Sequence, residues 1–343
     1  MAPTRVAIDH DRFLLHGRPT HAGRQWEGCR IEGLLLNVRA VQATYDDLNP
    51  KTATRWAYPD TGVWDPERNT DEFEAALPAW RACGLDAVTL NLQGGSPEGY
   101  SREQPWHNSA FEADGSLRPD YLARLRRALA RADQEGMAVI LGLFYFGQDQ
   151  RLADEAAVLR GVDHAVDWVL AQGFEHVLIE VNNECDVPRY DHAILRPERV
   201  HELIWRVRQR SGGRLLVSTS YGGGSLPGEN VVTEADFVLL HGNGVEDPRR
   251  LADLVCRVRQ LAAYHPMPIV INEDDHFGFE EPDCNMRAAL EQYCSWGYFD
   301  PGQSDYVHGH QSPPTNWGIN TDRKRSFFRF LAEVTGADTG RCE

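Results

Sequence analysis

Ala138-Val-Ile-Leu-Gly-Leu-Phe144, an amphipathic stretch from about Asp154 to Ala171, and Val177-Leu-Ile-Glu-Val-Asn182 follow one another in the middle of the chain. Their reading decides the fold. A short β-branched apolar run, a longer segment with helical spacing and a second apolar run make one βα unit and the start of the next. Strands this continuously apolar are expected where both faces of a parallel sheet are buried.

The same alternation extends outward in both directions. Toward the N-terminus lie Ala87-Val-Thr-Leu-Asn-Leu92 with a helix from Pro119 to Glu135, and Gly33-Leu-Leu-Leu-Asn-Val38 with a helix from Asp71 to Cys83. These helices stop at Gly136 and Gly84, as glycine C-caps do. A loop from about Gln42 to Thr70 separates the earliest of these strands from its helix. Toward the C-terminus come a helix from Pro197 to Arg210, the strand Arg214–Ser218 and a connection carrying Gly222-Gly-Gly224. Phe237–Leu240 with a helix from Pro248 to Tyr264, and Pro268–Asn272 with a helix from Asp283 to Ser295, continue the pattern. Gly297-Tyr-Phe299 and a helix from Asp322 to Val334 complete it. Ahead of everything, Val6-Ala-Ile8 and Phe13–Arg18 read as a hairpin, about residues 5–20, that caps the bottom of the sheet.

Eight strands in this strand–helix alternation predict an α/β fold, a (β/α)8 TIM barrel forming one catalytic domain over residues 1–343. A doubly wound sheet is the competing architecture. It carries a glycine-rich dinucleotide loop after its first strand, whereas that position here reads Asn37-Val-Arg39-Ala-Val-Gln42.

The formal net charge of −16 disfavours nucleic acid and anionic membrane surfaces as partners. No apolar run approaches the roughly 18 residues of a membrane span. Met1–His10 carries charges where a signal peptide needs an apolar region, so a cytoplasmic location is expected. The seven cysteines form no CxxC pair, and reduced thiols are expected. No cofactor is expected.

Barrel enzymes carry their chemistry at the C-terminal ends of strands. Two such ends present carboxylates: Glu180-Val-Asn-Asn-Glu184-Cys-Asp186 after the fourth strand and Asn272-Glu273-Asp-Asp-His276 after the seventh. These strands face each other across the mouth. Glycoside hydrolysis uses such a pair, one carboxyl protonating the leaving oxygen and the other attacking the oxocarbenium-like carbon. Glu180 shares a face with Glu184 deeper in the barrel and reads as a hydrogen-bonded interior residue.

Asn183-Glu184 closing strand four, with Glu273 closing strand seven, resembles the clan A glycoside hydrolases, the barrel group that includes family-five cellulases and mannanases. The resemblance implies a retaining mechanism on a β-linked carbohydrate, with Glu184 as acid/base, Glu273 as nucleophile and Asn183 on the sugar 2-hydroxyl. It also implies Trp296 as an aromatic floor under the reacting sugar and His241 as a site histidine. Arg39 is expected to hold the nucleophile ionised, and Asn91, Gln93 and Tyr145 to bind sugar. The sequence departs from the family pattern at Cys185 in place of proline, at Asn272 in place of glycine and at Asn243 in place of tyrosine. Strand three also ends in Phe144-Tyr-Phe146-Gly-Gln148 in place of a histidine.

The residues also admit two other readings. Asp274-Asp275-His276 and His308-Gly-His310 offer ligands for a metal-dependent hydrolase, although no metal is expected. A non-catalytic carbohydrate-binding barrel is the third, and the presence of both glutamates speaks against it.

Overall fold

The structure is a computed structural model that describes residues 3–342. The expectations resting on Met1, Ala2 and Glu343 lie outside the described residues. The barrel strands are β1 (Asn37–Arg39), β2 (Ala87–Asn91), β3 (Ala138–Phe144), β4 (Val177–Asn182), β5 (Leu216–Ser218), β6 (Val238–His241), β7 (Ile269–Glu273) and β8 (Gly297–Tyr298). Helices α1 (Pro66–Ala82), α2 (Pro119–Gln134), α3 (Glu155–Gln172), α4 (Val200–Ser211), α5 (Glu229–Glu234), α6 (Pro248–Arg259), α7 (Asn285–Glu291) and α8 (Asp322–Thr335) follow them in turn. This is the (β/α)8 fold.

A continuous parallel ladder runs β5-β4-β3-β2-β1-β8, and β6 pairs with β7. Parallel bridges Val270↔Ser295 and Asp274↔Tyr298 join β7 to the β8 edge. Between β5 and β6 the seam is carried by Asp236, whose amide donates to the Val217 carbonyl at 2.9 Å. The Val217 amide donates in return to Asp236 Oδ2 at 2.8 Å. A side chain thus supplies a ladder bond where two short strands do not pair, keeping the buried backbone satisfied.

Local chemistry sets the helix ends. Asp65 caps α1 by accepting from the amides of Glu67 and Arg68, with Pro66 opening the helix. Asp154 caps α3, which ends on left-handed Gly173. The N-terminal hairpin, Val6–Asp9 against Arg12–Leu15, plugs the bottom of the barrel. Val6, Phe13 and Leu15 pack on Leu35, Ile140, Leu178, Leu239 and Val270, and Phe13 meets Phe237 edge-on at 6.0 Å. Because Phe13 is fully buried, Phe13→Ala should cost about 3–5 kcal/mol of stability. Urea denaturation checks this, and a midpoint unchanged from wild type would show that the plug does not support the barrel.

Two expectations are corrected. Cys83 and Cys342 form a disulfide that ties the end of α1 to the chain beyond α8, across a separation of 259 residues; reduced thiols were expected throughout. A helix, α5, occupies the connection between β5 and β6, where only glycines drew notice. Among the described residues no helix is long and apolar enough to cross a membrane.

Candidate active site

Glu184 and Glu273 meet at the barrel mouth. One carboxylate oxygen from each and a ring nitrogen of His241 lie within 4.8 Å of one another. His241 Nδ1 is 3.0 Å from Glu184 Oε1 and 3.5 Å from Glu273 Oε2. Arg39, buried at the end of β1, places Nε 2.9 Å from Glu273 Oε2 and donates through a terminal nitrogen to Asn183 Oδ1 at 2.7 Å. One guanidinium therefore holds the β7 carboxylate and the β4 asparagine in a fixed relation, with the planar donor geometry that suits arginine. Asn243 Nδ2 lies 3.4 Å from Glu273 Oε1.

Two backbone irregularities build this arrangement. In a regular strand, neighbouring side chains point to opposite faces. Yet Asn183 and Glu184 both serve the mouth, and so do Asn272 and Glu273 the interior and mouth together. On β4 the break is at Glu184, which has φ 50°. A left-handed conformation is uncommon and costly for such a residue and persists only when its surroundings enforce it. The Glu184 amide donates to Ser220 Oγ at 2.9 Å, and Ser220 Oγ donates to Glu180 Oε1 at 2.5 Å. On β7 the register against β6 shifts between Leu240 and His241, so that His241 stands opposite Glu273. Such an extra residue re-aims side chains next to a site. It frees Asn272 Nδ2 to reach Glu180 Oε2 at 3.2 Å. Fully buried Glu180 thus braces both strand ends from below, the role of a hydrogen-bonded interior residue.

The charges are mutually set. Burial pushes the Glu273 carboxyl above its ordinary range, helped by Glu184 and Glu180 and opposed by Arg39 and His241. Burial also works to raise Glu184, but the hydrogen bond and charge of His241, with Arg39 behind them, bring it below the usual value. Burial opposes charging of His241, and the two carboxylates overcome it and raise the imidazole. The picture is an imidazolium paired with Glu184 beside a Glu273 clamped by Arg39.

Tyr145 lies in the site wall, its hydroxyl 3.1 Å from Ser96 Oγ. Burial, then Glu273, pushes that phenol upward. Asn91 lies deeper: it is buried against Gly142 of the neighbouring strand, below the mouth. Gln93 is committed to the loop, donating to the Gln148 carbonyl and accepting from the Tyr145 amide.

Trp296 is not brought to the site. It precedes β8 and points to the helix side, its ring against Phe279 at 5.7 Å and Phe327 at 6.0 Å. Its Nε1 donates to Asp274 Oδ2 at 2.8 Å. The aromatic that lines the cavity on this side is Phe299, immediately after β8. Sequence reading also passed over Ser96, Tyr100, Arg189 and Gln311, which line the same cavity from loops. Of the metal-ligand alternative, His308 pairs with Asp305. His310 is buried between Trp80 and Trp317, and burial lowers it well below its ordinary value. Neither joins Asp274-Asp275-His276 in a cluster of ligand atoms.

No family model matches the chain, and no curated protein does. Solved structures do. A family 5 glycoside hydrolase mannosidase from Rhizomucor miehei is 12% identical with a TM-score of 0.59, covering 97% of this chain and 98% of that one. A family 5 glycoside hydrolase from Bacteroides vulgatus is 12% identical with a TM-score of 0.58, covering 96% of this chain and 70% of that one. A variant of the same mannosidase, in complex with mannosyl-fructose, is 13% identical with a TM-score of 0.58, covering 99% of each chain. The chain therefore has the barrel fold of the family 5 glycoside hydrolases, at a sequence distance where fold is what the likeness establishes.

Proposed function

We propose that the chain is a retaining β-glycosidase working as one catalytic domain, with Glu273 as nucleophile and Glu184 as acid/base. The observation that carries this reading is the closeness of the pair, one carboxylate oxygen of each lying within 4.8 Å of the other. Inverting enzymes hold their carboxyls about 6.5–9.5 Å apart to admit a water, and retaining ones about 5–5.5 Å. A pair this close favours direct attack by a carboxylate over a water held between the two.

In the first step Glu273 forms an ester bond to the anomeric carbon. The glycosidic C–O bond breaks, and its oxygen leaves with a proton from Glu184. That proton has a source: Nδ1 of His241 is 3.0 Å from Glu184 Oε1, and one transfer converts the imidazolium–carboxylate pair into imidazole and carboxylic acid. In the second step water gives a proton to Glu184 and its oxygen displaces Glu273 from the sugar. Arg39 stabilises the carboxylate that is released, and Asn183, held by the same guanidinium, binds the 2-hydroxyl. A β-mannoside is the first substrate to try, because the neighbouring structures include a mannosidase and its mannosyl-fructose complex.

Proton NMR of an aryl β-mannoside digest tests the reading. The β-anomer of the free sugar should appear first and then mutarotate. First release of the α-anomer would overturn retention. Silence toward the β-mannosides, β-glucosides and β-galactosides alike would overturn the glycosidase reading.

A further inference from the structure

The loop from β2 to α2 does not stand beside the mouth; it crosses it. Its segment from Ser96 to Arg102 is fastened on three sides. Toward β4, Arg189 donates to the carbonyls of Ser101 and Arg102, each at 2.9 Å, and its guanidinium lies over Phe146 at 4.2 Å. Toward β7, the Tyr100 hydroxyl donates to Asp275 Oδ2 at 2.6 Å. Toward β8, Gln311 Nε2 donates to the Ser96 carbonyl at 3.2 Å, and Tyr100 packs edge-on to Phe299 at 6.0 Å. A groove for a long chain needs two open ends. This roof leaves a cavity of about 140 Å³ over the two glutamates, well under the roughly 300 Å³ at which pockets for larger ligands begin.

Two residues that line the cavity, Gln311 and Asn243, each carry a buried acceptor without a partner, Gln311 Oε1 and Asn243 Oδ1, the latter on the side of Gly223. Buried polar atoms are ordinarily hydrogen-bonded, and the hydroxyls of a sugar ring are donors of the right kind. Glu184 keeps more of its side chain exposed than Glu273, 12% against 8%. In the proposed reaction the departing group meets Glu184, and the ring bonded to Glu273 lies under the roof.

We propose that this site takes one terminal hexopyranose of a β-linked oligosaccharide, and that the chain removes sugars singly from an end, with Gln311 and Asn243 reading the hydroxyls of the enclosed ring. The inference rests on the glycosidase reading and adds where along the substrate the cut falls.

The test uses the full chain, 4-nitrophenyl β-mannoside and β-1,4-mannopentaose, with products sized by chromatography over the first few per cent of conversion. Wild type should yield monosaccharide and tetrasaccharide from the first sample. A 4,6-O-benzylidene cap on the non-reducing sugar should slow it at least about tenfold. Tyr100→Ala removes both the strap to Asp275 and the packing on Phe299, and should shift products toward disaccharide and trisaccharide. Tyr100→Phe keeps the packing and should retain the wild-type pattern more fully. Nitrophenol release with disaccharide and trisaccharide as the first wild-type products, or with a capped pentaose cut at the uncapped rate, would overturn end-wise action alone. Absence of turnover on both substrates and on their β-gluco and β-galacto counterparts would overturn the glycosidase reading and this inference with it.

Discussion

Glu273→Ala is expected to lower kcat on an aryl β-glycoside by about 10⁴-fold or more, since under the proposed mechanism it deletes the atom that forms the covalent intermediate. Its side chain is the one that Arg39 grips at 2.9 Å, and among the described residues no other carboxylate shares that contact. Glu184 meets His241 instead, and Glu180 is turned downward to Ser220 and Asn272. Neither can take over the attack. The variant leaves a buried guanidinium with less compensating charge, which by itself costs about 3–5 kcal/mol in comparable buried pairs. Glu273→Gln, of equal volume and able to accept from Arg39, separates lost chemistry from lost fold: it should retain most thermal stability while being as inactive as the alanine variant. Added azide gives the chemical signature, because a small anion entering the space of the missing carboxylate yields the glycosyl azide of inverted configuration. Activity within tenfold of wild type in both variants would remove Glu273 from the mechanism. Activity that survives in them but is lost with a chelator would point to metal-assisted hydrolysis at Asp274-Asp275-His276.

The parts of this arrangement that the sequence revealed are those that regular periodicity controls. β3 and β4 run where their apolar runs begin and end, Ala138–Phe144 and Val177–Asn182. Pro119, Pro248 and Asp322 open helices as read. Errors gather where another force decides. The helix expected from Asp71 opens at Pro66, because Asp65 and the proline form a capping signal at the edge of a segment taken for loop. The helices expected to reach Tyr264 and Ser295 end at Arg259 and Glu291. The residues beyond them turn back to feed β7 and β8, and tertiary demand overrides propensity. Trp296 was misplaced for a related reason. With only Gly297 and Tyr298 in the strand, alternation has too few residues to show which face the tryptophan takes.

The site divides in the same way. Both glutamates, Asn183, Arg39 and His241 could be found because each sits at a strand end, a position that topology alone makes chemical. What aims them was not legible. The left-handed backbone of Glu184 has no glycine to announce it, and the register shift before His241 leaves no mark in an apolar run. The roof was invisible as well: Tyr100–Asp275, Arg189–Ser101 and Gln311–Ser96 join residues far apart in sequence. The Cys83–Cys342 disulfide, spanning 259 residues, belongs to the same class of long-range facts.

The pH dependence follows from how those long-range contacts share protons, and Glu184→Ala exposes it. Under the proposed mechanism the competent state has Glu273 ionised and one proton on the Glu184–His241 pair. Burial raises Glu273 above its ordinary 4.5, so activity is lost on the acid side through a limb above that value. His241 is raised above its ordinary 6.5 by the two carboxylates against the effect of burial. The pair's proton is therefore held until pH passes that value, and the alkaline limb lies above it. The limbs belong to the coupled group and to no single residue. Glu184→Ala should lower kcat by about 10²–10⁴-fold, the usual worth of general acid–base catalysis, and abolish the alkaline limb, since no proton is left to donate. On a 2,4-dinitrophenyl glycoside, whose leaving group needs little protonation, the first step should stay fast while the second stalls. A burst of dinitrophenol should result, and azide should restore turnover with net retention. His241→Gln offers the converse. With the imidazolium gone, Glu184 must supply the proton from its own carboxyl, and the alkaline limb should move to lower pH with the mechanism otherwise intact. A Glu184→Ala profile that keeps the wild-type alkaline limb would place the working proton elsewhere and remove Glu184 from the acid/base role.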